Sequence, residues 1–358
     1  MSRKKNYPHL RRGSFLVFLQ NNVMKMLEGI NLKKTFLIFL YILIFSVFSI
    51  SQLFQPPIKN SYITASFGEY RDTGVDPHFH LGVDFSTFNR KGETVYAAAE
   101  GSLYKIWLND PLYGNAIFLY HEDSDLISGY AHLSVFSDKI SKYTQLVQNE
   151  FGNQKIEIIF PKDEIPINLN EIIAYSGDTG EAIAPHLHFE VLKQTGDEFV
   201  NYDPLEFLEY HEQRDKSLEL MNIRSNNKYF EVTENGETVV EYTGNYPRID
   251  IRVREKLGNN STILPKKVSM YINGILTYKL DFSQIKESEI YKADAVFGYG
   301  STSSIYWLKM YSDEYLSPIV INDFSAFSYG TSTTLNGEIV LEDIWGNEKV
   351  YKLKFIKP

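Results

Sequence analysis

Three short stretches of this chain bring together residue types that can do chemistry. The first is His80-Leu-Gly-Val-Asp84. In an extended strand, residues four apart are separated by about 13 Å, too far to share one metal ion. The chain must therefore bend between them, and Gly82 makes a bend easy. The bent pair offers an imidazole nitrogen and a carboxylate oxygen, both accepted zinc ligands. The second stretch is Pro185-His-Leu-His-Phe-Glu-Val191. Strand alternation puts His186, His188 and Glu190 on one face and Leu187, Phe189 and Val191 on the other. The two histidines are then roughly 7 Å apart at the backbone, close enough to serve one site from different positions. The third is Gly129-Tyr-Ala-His-Leu133, with Tyr130 and His132 sharing a strand face.

Each stretch also has an ordinary reading: a chance His-x-x-x-Asp, a polar stripe facing solvent, or a single satisfied structural histidine. Taken together they favour chemistry. Two histidines and one carboxylate give a three-ligand site with an open position for water, the arrangement of a catalytic rather than a structural zinc site. Metal coordination lowers the pKa of water towards about 7. Two remaining histidines can manage protons and stabilise charge on an attacked carbonyl oxygen. No His-Glu-x-x-His motif is present, so the glutamate of that helical motif is not the general base.

These motifs, in order and with Ser176-Gly-Asp-Thr-Gly180 between them, resemble those of the LytM/lysostaphin-type zinc metallopeptidases over roughly residues 60–207. The resemblance implies that His80, Asp84 and His188 bind one Zn2+ per chain and that His132 and His186 act around the water and the developing oxyanion. It further implies a mainly antiparallel β scaffold with a narrow groove, and hydrolysis of peptide bonds in peptidoglycan cross-links or stem peptides by a metal-activated water. Some members of that family carry a tyrosine six positions before the first ligand, where this chain has Gly74; Tyr70 and Tyr130 are the substitutes at hand. The stretch from Leu133 to Ser176 is longer than in compact members. A catalytically inactive relative that binds the wall or regulates other wall enzymes is the alternative, and a non-haem iron site of two histidines and a carboxylate is a third reading.

Other residues are ambiguous. His78 sits two before His80, but the spacing to Asp84 and the glycine at 82 favour His80 as the ligand. His121 alternates with Ile117 and Leu119 and reads as structural. Glu190 reads equally as an acceptor that orients a histidine or as a solvated strand carboxylate. Arg71 reads as a surface ion pair, with a contact to a substrate carboxylate as the functional alternative.

The elements that must position these residues are mostly strands. Asn115–His121 and Leu126–Leu133 flank an Asp/Ser turn, a hairpin signal. Ser137–Glu150 is the one convincing helix, with Ile140, Tyr143, Leu146 and Val147 at helical spacing. A short helical, charged connector is expected at 203–225. From about 228 to 358 recurrent strands and turn signals predict an immunoglobulin-like β-sandwich. The fold class is therefore mainly β. The domains are a leader at 1–51, a peptidase domain at 58–208, a linker at 209–227 and an accessory sandwich at 228–358. That sandwich has three candidate roles: binding wall polymer, binding a partner, or covering the groove as a lid.

The chain has 358 residues, no cysteine and a net charge of −9. Lack of cysteine excludes disulfides, thiolate metal sites and lipidated cysteines. The charge divides unevenly: residues 1–50 carry eight basic residues and one acid, and the remainder carries −16. So acidic a body argues against nucleic-acid binding. Lys33 and Lys34 precede the apolar run Phe36–Ile50, which small residues follow; this is the layout of a secretory signal. Extended through Phe54, it becomes an uncleaved anchor, the only membrane contact expected. Either reading places the body in the cell envelope or outside the cell.

Overall fold

A strand needs its apolar residues on alternate positions, and Leu187, Phe189 and Val191 supply them: all three are fully buried in one cluster with Val83, Phe85 and Ile117. The strand they define, His186–Thr195, lies at the centre of the main sheet. In this computed structural model, which describes residues 54–74, 76–211, 216–325 and 334–358, the sheet has ten strands. Its principal order is Ile63–Ala65, Val83–Ser86, His186–Thr195, Leu126–Ala131, Gly114–His121, Gly101–Asp110 and Ile156–Ile159. All of these pairings are antiparallel. The Asn115–His121 and Leu126–Leu133 runs form the expected hairpin, with Ile117 opposite Tyr130 and His121 opposite Leu126.

One face of the sheet carries the large core. The other carries a smaller cluster around Ala116, Phe118, Ile127, Ala131 and Leu192, with Trp107, Tyr113 and Phe199 packed against it. A three-stranded sheet of Thr94–Tyr96, Ile172–Ser176 and Leu133–Phe136 lies beside it. The predicted helix is present at Asp138–Phe151, with Ile140 buried in the main core.

The connector differs from expectation. Asp203 caps a single 3-10 turn, Pro204–Glu206, its side chain accepting the Leu205 N–H. Ser217–Ser225 is then a strand, not a helix, paired with Ile249–Lys256. Its alternating burial, with Leu218, Leu220 and Ile223 inward, satisfies a strand period that charged residues at 216, 219 and 224 obscure in the sequence.

The C-terminal half has a five-stranded and a six-stranded sheet. Their inner faces share one buried cluster, including Ile251 and Val253 from the first and Val268, Leu341 and Phe355 from the second. Pairing is antiparallel except for Glu237–Glu241 against Glu348–Ile356, which is parallel. That cluster also takes in Phe67, Tyr70, Phe79 and Leu81 from the N-terminal half. In the reverse direction, Gln284–Lys286 pairs with Glu198–Tyr202 and extends the main sheet. The described residues from Phe54 onward form one unit.

The apolar run at 36–50 lies outside the described residues. Phe54, counted in the sequence as an extension of that run, is buried in the body against His121, Phe189 and Phe207. Among the described residues no helix is long and apolar enough to cross a membrane.

Candidate active site

Strand register brings the singled-out residues into one row. His188 sits opposite Asp84 on one side and opposite Ala131, the neighbour of His132, on the other. His186 faces Ser86. His80 enters from the bend between His78–Phe79 and Val83–Ser86.

The bend has a steric requirement. A Cβ at Gly82 would stand 2.4 Å from the Phe189 carbonyl oxygen and 2.9 Å from the His188 ring. Gly82 is therefore needed for the close approach of the His188 strand, more than for an unusual backbone angle.

Three donor atoms converge. His80 Nε2 lies 3.0 Å from Asp84 Oδ1 and 2.8 Å from His188 Nδ1, and His188 Nδ1 lies 3.2 Å from Asp84 Oδ1. All three residues are nearly buried. Tetrahedral zinc with bonds near 2.0–2.1 Å separates its ligand atoms by about 3.3 Å, so slight expansion of this triangle fits the ion. Two nitrogens and one carboxylate oxygen also match zinc's donor preference. The remaining nitrogens are held: His80 Nδ1–H donates to the Ser66 carbonyl at 2.8 Å, and His188 Nε2–H donates to Glu190 Oε1 at 2.9 Å. Each ring is thereby fixed with its other nitrogen facing its two neighbours.

Electrostatics sharpen the arrangement. Burial, reinforced by Arg71, holds His80 down at about 3, leaving it neutral. Burial opposes charge on His188 too, but its bonds to Asp84 and Glu190 prevail and raise it to about 9. Asp84 is driven well below the usual carboxylate range; burial resists this, and the neighbouring His80 and His186 overcome it.

His132 and His186 lie beside the triangle, their rings 4.6 Å apart. His186 Nδ1–H donates to the Ala184 carbonyl and His132 Nδ1–H to the Thr179 carbonyl, both at 2.8 Å. Nε2 of each is left for the cleft, and that of His186 is 3.6 Å from Asp84 Oδ1. Burial, with His186 and His188 nearby, pushes His132 down to about 3. His132 occupies a left-handed conformation (φ 60°), the kind of local strain that collects at functional sites. The Ser176–Gly180 stretch holds it there. The Thr179 hydroxyl donates to the Leu133 carbonyl, and at Gly180 a Cβ would come within 2.3 Å of the Gly114 nitrogen.

Other sequence readings resolve as follows. His78 lines the same cavity but donates its Nδ1–H to the Asp76 carbonyl and stays outside the triangle. His121 is buried, bonded to the Glu100 carbonyl and Ser128. Arg71 is no surface pair: it is nearly buried and bridges Glu69 at 2.8 Å and Asp84 Oδ2 at 3.3 Å. Neither suggested tyrosine faces the site. Tyr130 accepts the Ala98 N–H within the core, and Tyr70 donates to Asp294. Tyr113, which sequence reasoning missed, does line the cavity; its hydroxyl donates to Glu190 at 2.7 Å and its ring meets that of His188 edge-on. The surrounding cavity has a volume of about 380 Å³.

The sheet brings together a buried His-Asp-His triangle and two flanking histidines, and comparison with known proteins supports a likeness to the LytM/lysostaphin-type peptidases. Over 142 residues the chain is 28% identical to lysostaphin of Staphylococcus simulans and 29% identical to the glycyl-glycine endopeptidase ALE-1 of Staphylococcus capitis. The match takes in 40% of this chain but only 24% and 32% of those proteins, so the chain spans about a quarter to a third of their length. A solved structure of the catalytic domain of the antimicrobial peptidase lysostaphin from Staphylococcus simulans is 26% identical, covering 38% of this chain and 83% of that domain, with a TM-score of 0.28. No family model matches.

Proposed function

We propose that this protein is an exported, zinc-dependent metalloendopeptidase that hydrolyses peptide bonds in peptidoglycan cross-links or stem peptides. The observation that carries the reading is the convergence of His80 Nε2, Asp84 Oδ1 and His188 Nδ1 beside two further imidazoles that are not needed as ligands. In this reading residues 58–208 are the peptidase domain and 228–358 an accessory sandwich of immunoglobulin-like type, preceded by strand Ser217–Ser225. Residues 1–51 are the export leader or anchor.

The three donors would hold one zinc ion, which would supply Lewis acidity and the activation of a water at neutral pH. The chain's own residues do the rest. Asp84 contributes the negative charge of the ligand set, and Arg71 on its outer oxygen keeps the carboxylate oriented. His132 is neutral, with its Nδ1 proton committed to Thr179, so its Nε2 lone pair is available to accept a proton. His186, with Nδ1–H committed in the same way to Ala184, presents Nε2 next to Asp84; once that nitrogen also carries a proton, it can donate a hydrogen bond to an oxygen that becomes negative during attack.

The test is incubation of the purified protein with peptidoglycan and identification of released fragments by mass spectrometry. New amine ends and about one zinc per chain are expected, with cleavage lost to chelator and restored by zinc. His132→Ala and His186→Ala should each lower turnover by roughly 10²–10⁴-fold while keeping the metal. Cleavage that survives complete loss of the metal refutes the reading, and new reducing sugar ends point to glycan chemistry instead.

A further inference from the structure

The cavity around the His-Asp-His triangle is not built by the main sheet alone. Ile290 and Ser303, both half-buried and both from the C-terminal half, line it together with His80, Asp84 and His188. Ile290 lies in the 3-10 segment Glu287–Ala295, which follows directly on Gln284–Lys286, the strand that extends the main sheet. Its position is set from behind: Ile290 packs on the buried cluster of the two C-terminal sheets, and the neighbouring Glu289 carboxylate accepts the Ser317 N–H at 2.9 Å. Ser303 is fixed by its N–H and hydroxyl, which donate to Asp72 Oδ1 at 3.0 and 2.5 Å.

A lid that opens would sit on few contacts, with its polar groups free to return to water. The contacts here are of the opposite kind. Tyr70 and Phe79 pack against Phe297 and share its core, and the Tyr70 hydroxyl donates to Asp294 at 3.0 Å. Lys266, buried, reaches Asp203 and Glu206 at 2.8 Å each. The support extends to the first histidine of the triangle: the Leu264 N–H donates to the Ser66 hydroxyl, and the Ser66 carbonyl accepts from His80 Nδ1. Opening this contact would expose a common core and strand several buried polar groups.

From this geometry we propose that the C-terminal sandwich is a fixed wall of the substrate cleft, in which Ile290 and Ser303 are specificity-determining residues that limit the size of the substrate side chain facing them. The inference rests on the peptidase reading above. Because the wall is backed by packed core, it accommodates a bulky side chain only if the wall residue itself is cut back.

The test uses the full chain and synthetic peptides containing the bond identified by mass spectrometry, with Gly, Ala or Leu placed on either side of it. Ile290→Ala should raise the ratio of kcat/KM for the Leu peptide over the Gly peptide by about tenfold, the scale on which a few methylenes discriminate. Ile290→Trp should move the Ala-to-Gly ratio the opposite way. Zinc content measured alongside confirms that both variants are folded at the site. Ratios within twofold of the unaltered protein in both variants overturn the proposal. Should the unaltered protein bind zinc yet cleave no peptide, the peptidase reading fails and the wall is still tested by binding. With no native cysteine, Ser303→Cys carries one environment-sensitive dye, and the same peptides should shift its emission. An unchanged emission at saturating peptide overturns the wall.

Discussion

Replacing Glu190 by glutamine changes no volume and tests how the second histidine of the triangle is held. Three donors converge on this carboxylate: His188 Nε2–H at 2.9 Å and the Tyr113 hydroxyl at 2.7 Å on Oε1, and the Asn201 amide at 3.2 Å on Oε2. Glutamine offers a single acceptor oxygen. If that oxygen faces His188 and Tyr113, its NH₂ meets the Asn201 NH₂, and relief requires Asn201 to turn over and give up its long contact with the Leu81 carbonyl. If it faces Asn201, two donors meet an NH₂ instead. In both cases the negative charge behind His188 is gone, and with it the bias that makes Nδ1 a better ligand. Outer carboxylates of this kind typically govern metal affinity by 10–100-fold, or about 1.4–2.7 kcal/mol. Competition with a chromophoric chelator at fixed pH should therefore show zinc binding by Glu190→Gln weakened by that factor. Tyr113→Phe, which leaves both carboxylate oxygens in place, should weaken it by less. An unchanged zinc affinity in Glu190→Gln would refute the claim that this carboxylate sets the His188 tautomer.

Three further outcomes are expected. Gly82→Ala pushes a methyl group against the Phe189 carbonyl and the His188 ring, so zinc titration and a thermal melt should show at least tenfold weaker binding and a stability loss of about 1–3 kcal/mol. Lys266→Met keeps the stem volume but leaves Asp203 buried without its cation, and denaturant unfolding should report a loss of about 3–5 kcal/mol. Burial holds His121 below its ordinary value of 6.5 and outweighs its bond to Glu100. As pH falls through 6.5 the unfolded chain therefore takes up a proton that the folded one refuses, and stability declines. His121→Gln should remove up to about 1.4 kcal/mol per pH unit of that decline, read from unfolding curves at pH 7.5 and 5.5.

The histidines and Asp84 were legible in the sequence because spacing and strand alternation constrain them locally: His186, His188 and Glu190 must share a face if 185–191 is a strand. The clamp on His132 was not, because it depends on Thr179 arriving from a loop 47 residues away. Tyr113 escaped for a similar reason. It sits in a turn between two strands with no pattern of its own, and only the register of the hairpin aims it at Glu190. Arg71 was misread as exposed because a lone arginine between Tyr70 and Asp72 gives no sign that Glu69 and Asp84 both turn towards it. The strand at 217–225 was hidden by charges at its outward positions; that the C-terminal half could cover the groove was one candidate role, but not that Ile290 and Ser303, far in sequence from the histidine motifs, are the residues that reach it.

The bond between Asp72 and Ser303 joins residues 231 positions apart. Chains are made from the N-terminus, so the hairpin that carries the first histidine exists long before the segment that completes its surroundings. Until Gln284–Phe297 is available, Tyr70 and Phe79 lack the Phe297 ring they pack against, and the outer edge of Glu198–Tyr202 has no strand to cover it. Contacts of such sequence separation form late, since loop closure must precede any gain from them. A chain assembled in this order completes its cleft only after Ile290 and Ser303 have emerged. A chain ended before Gln284 would lack the part of the cleft that Ile290 and Ser303 line.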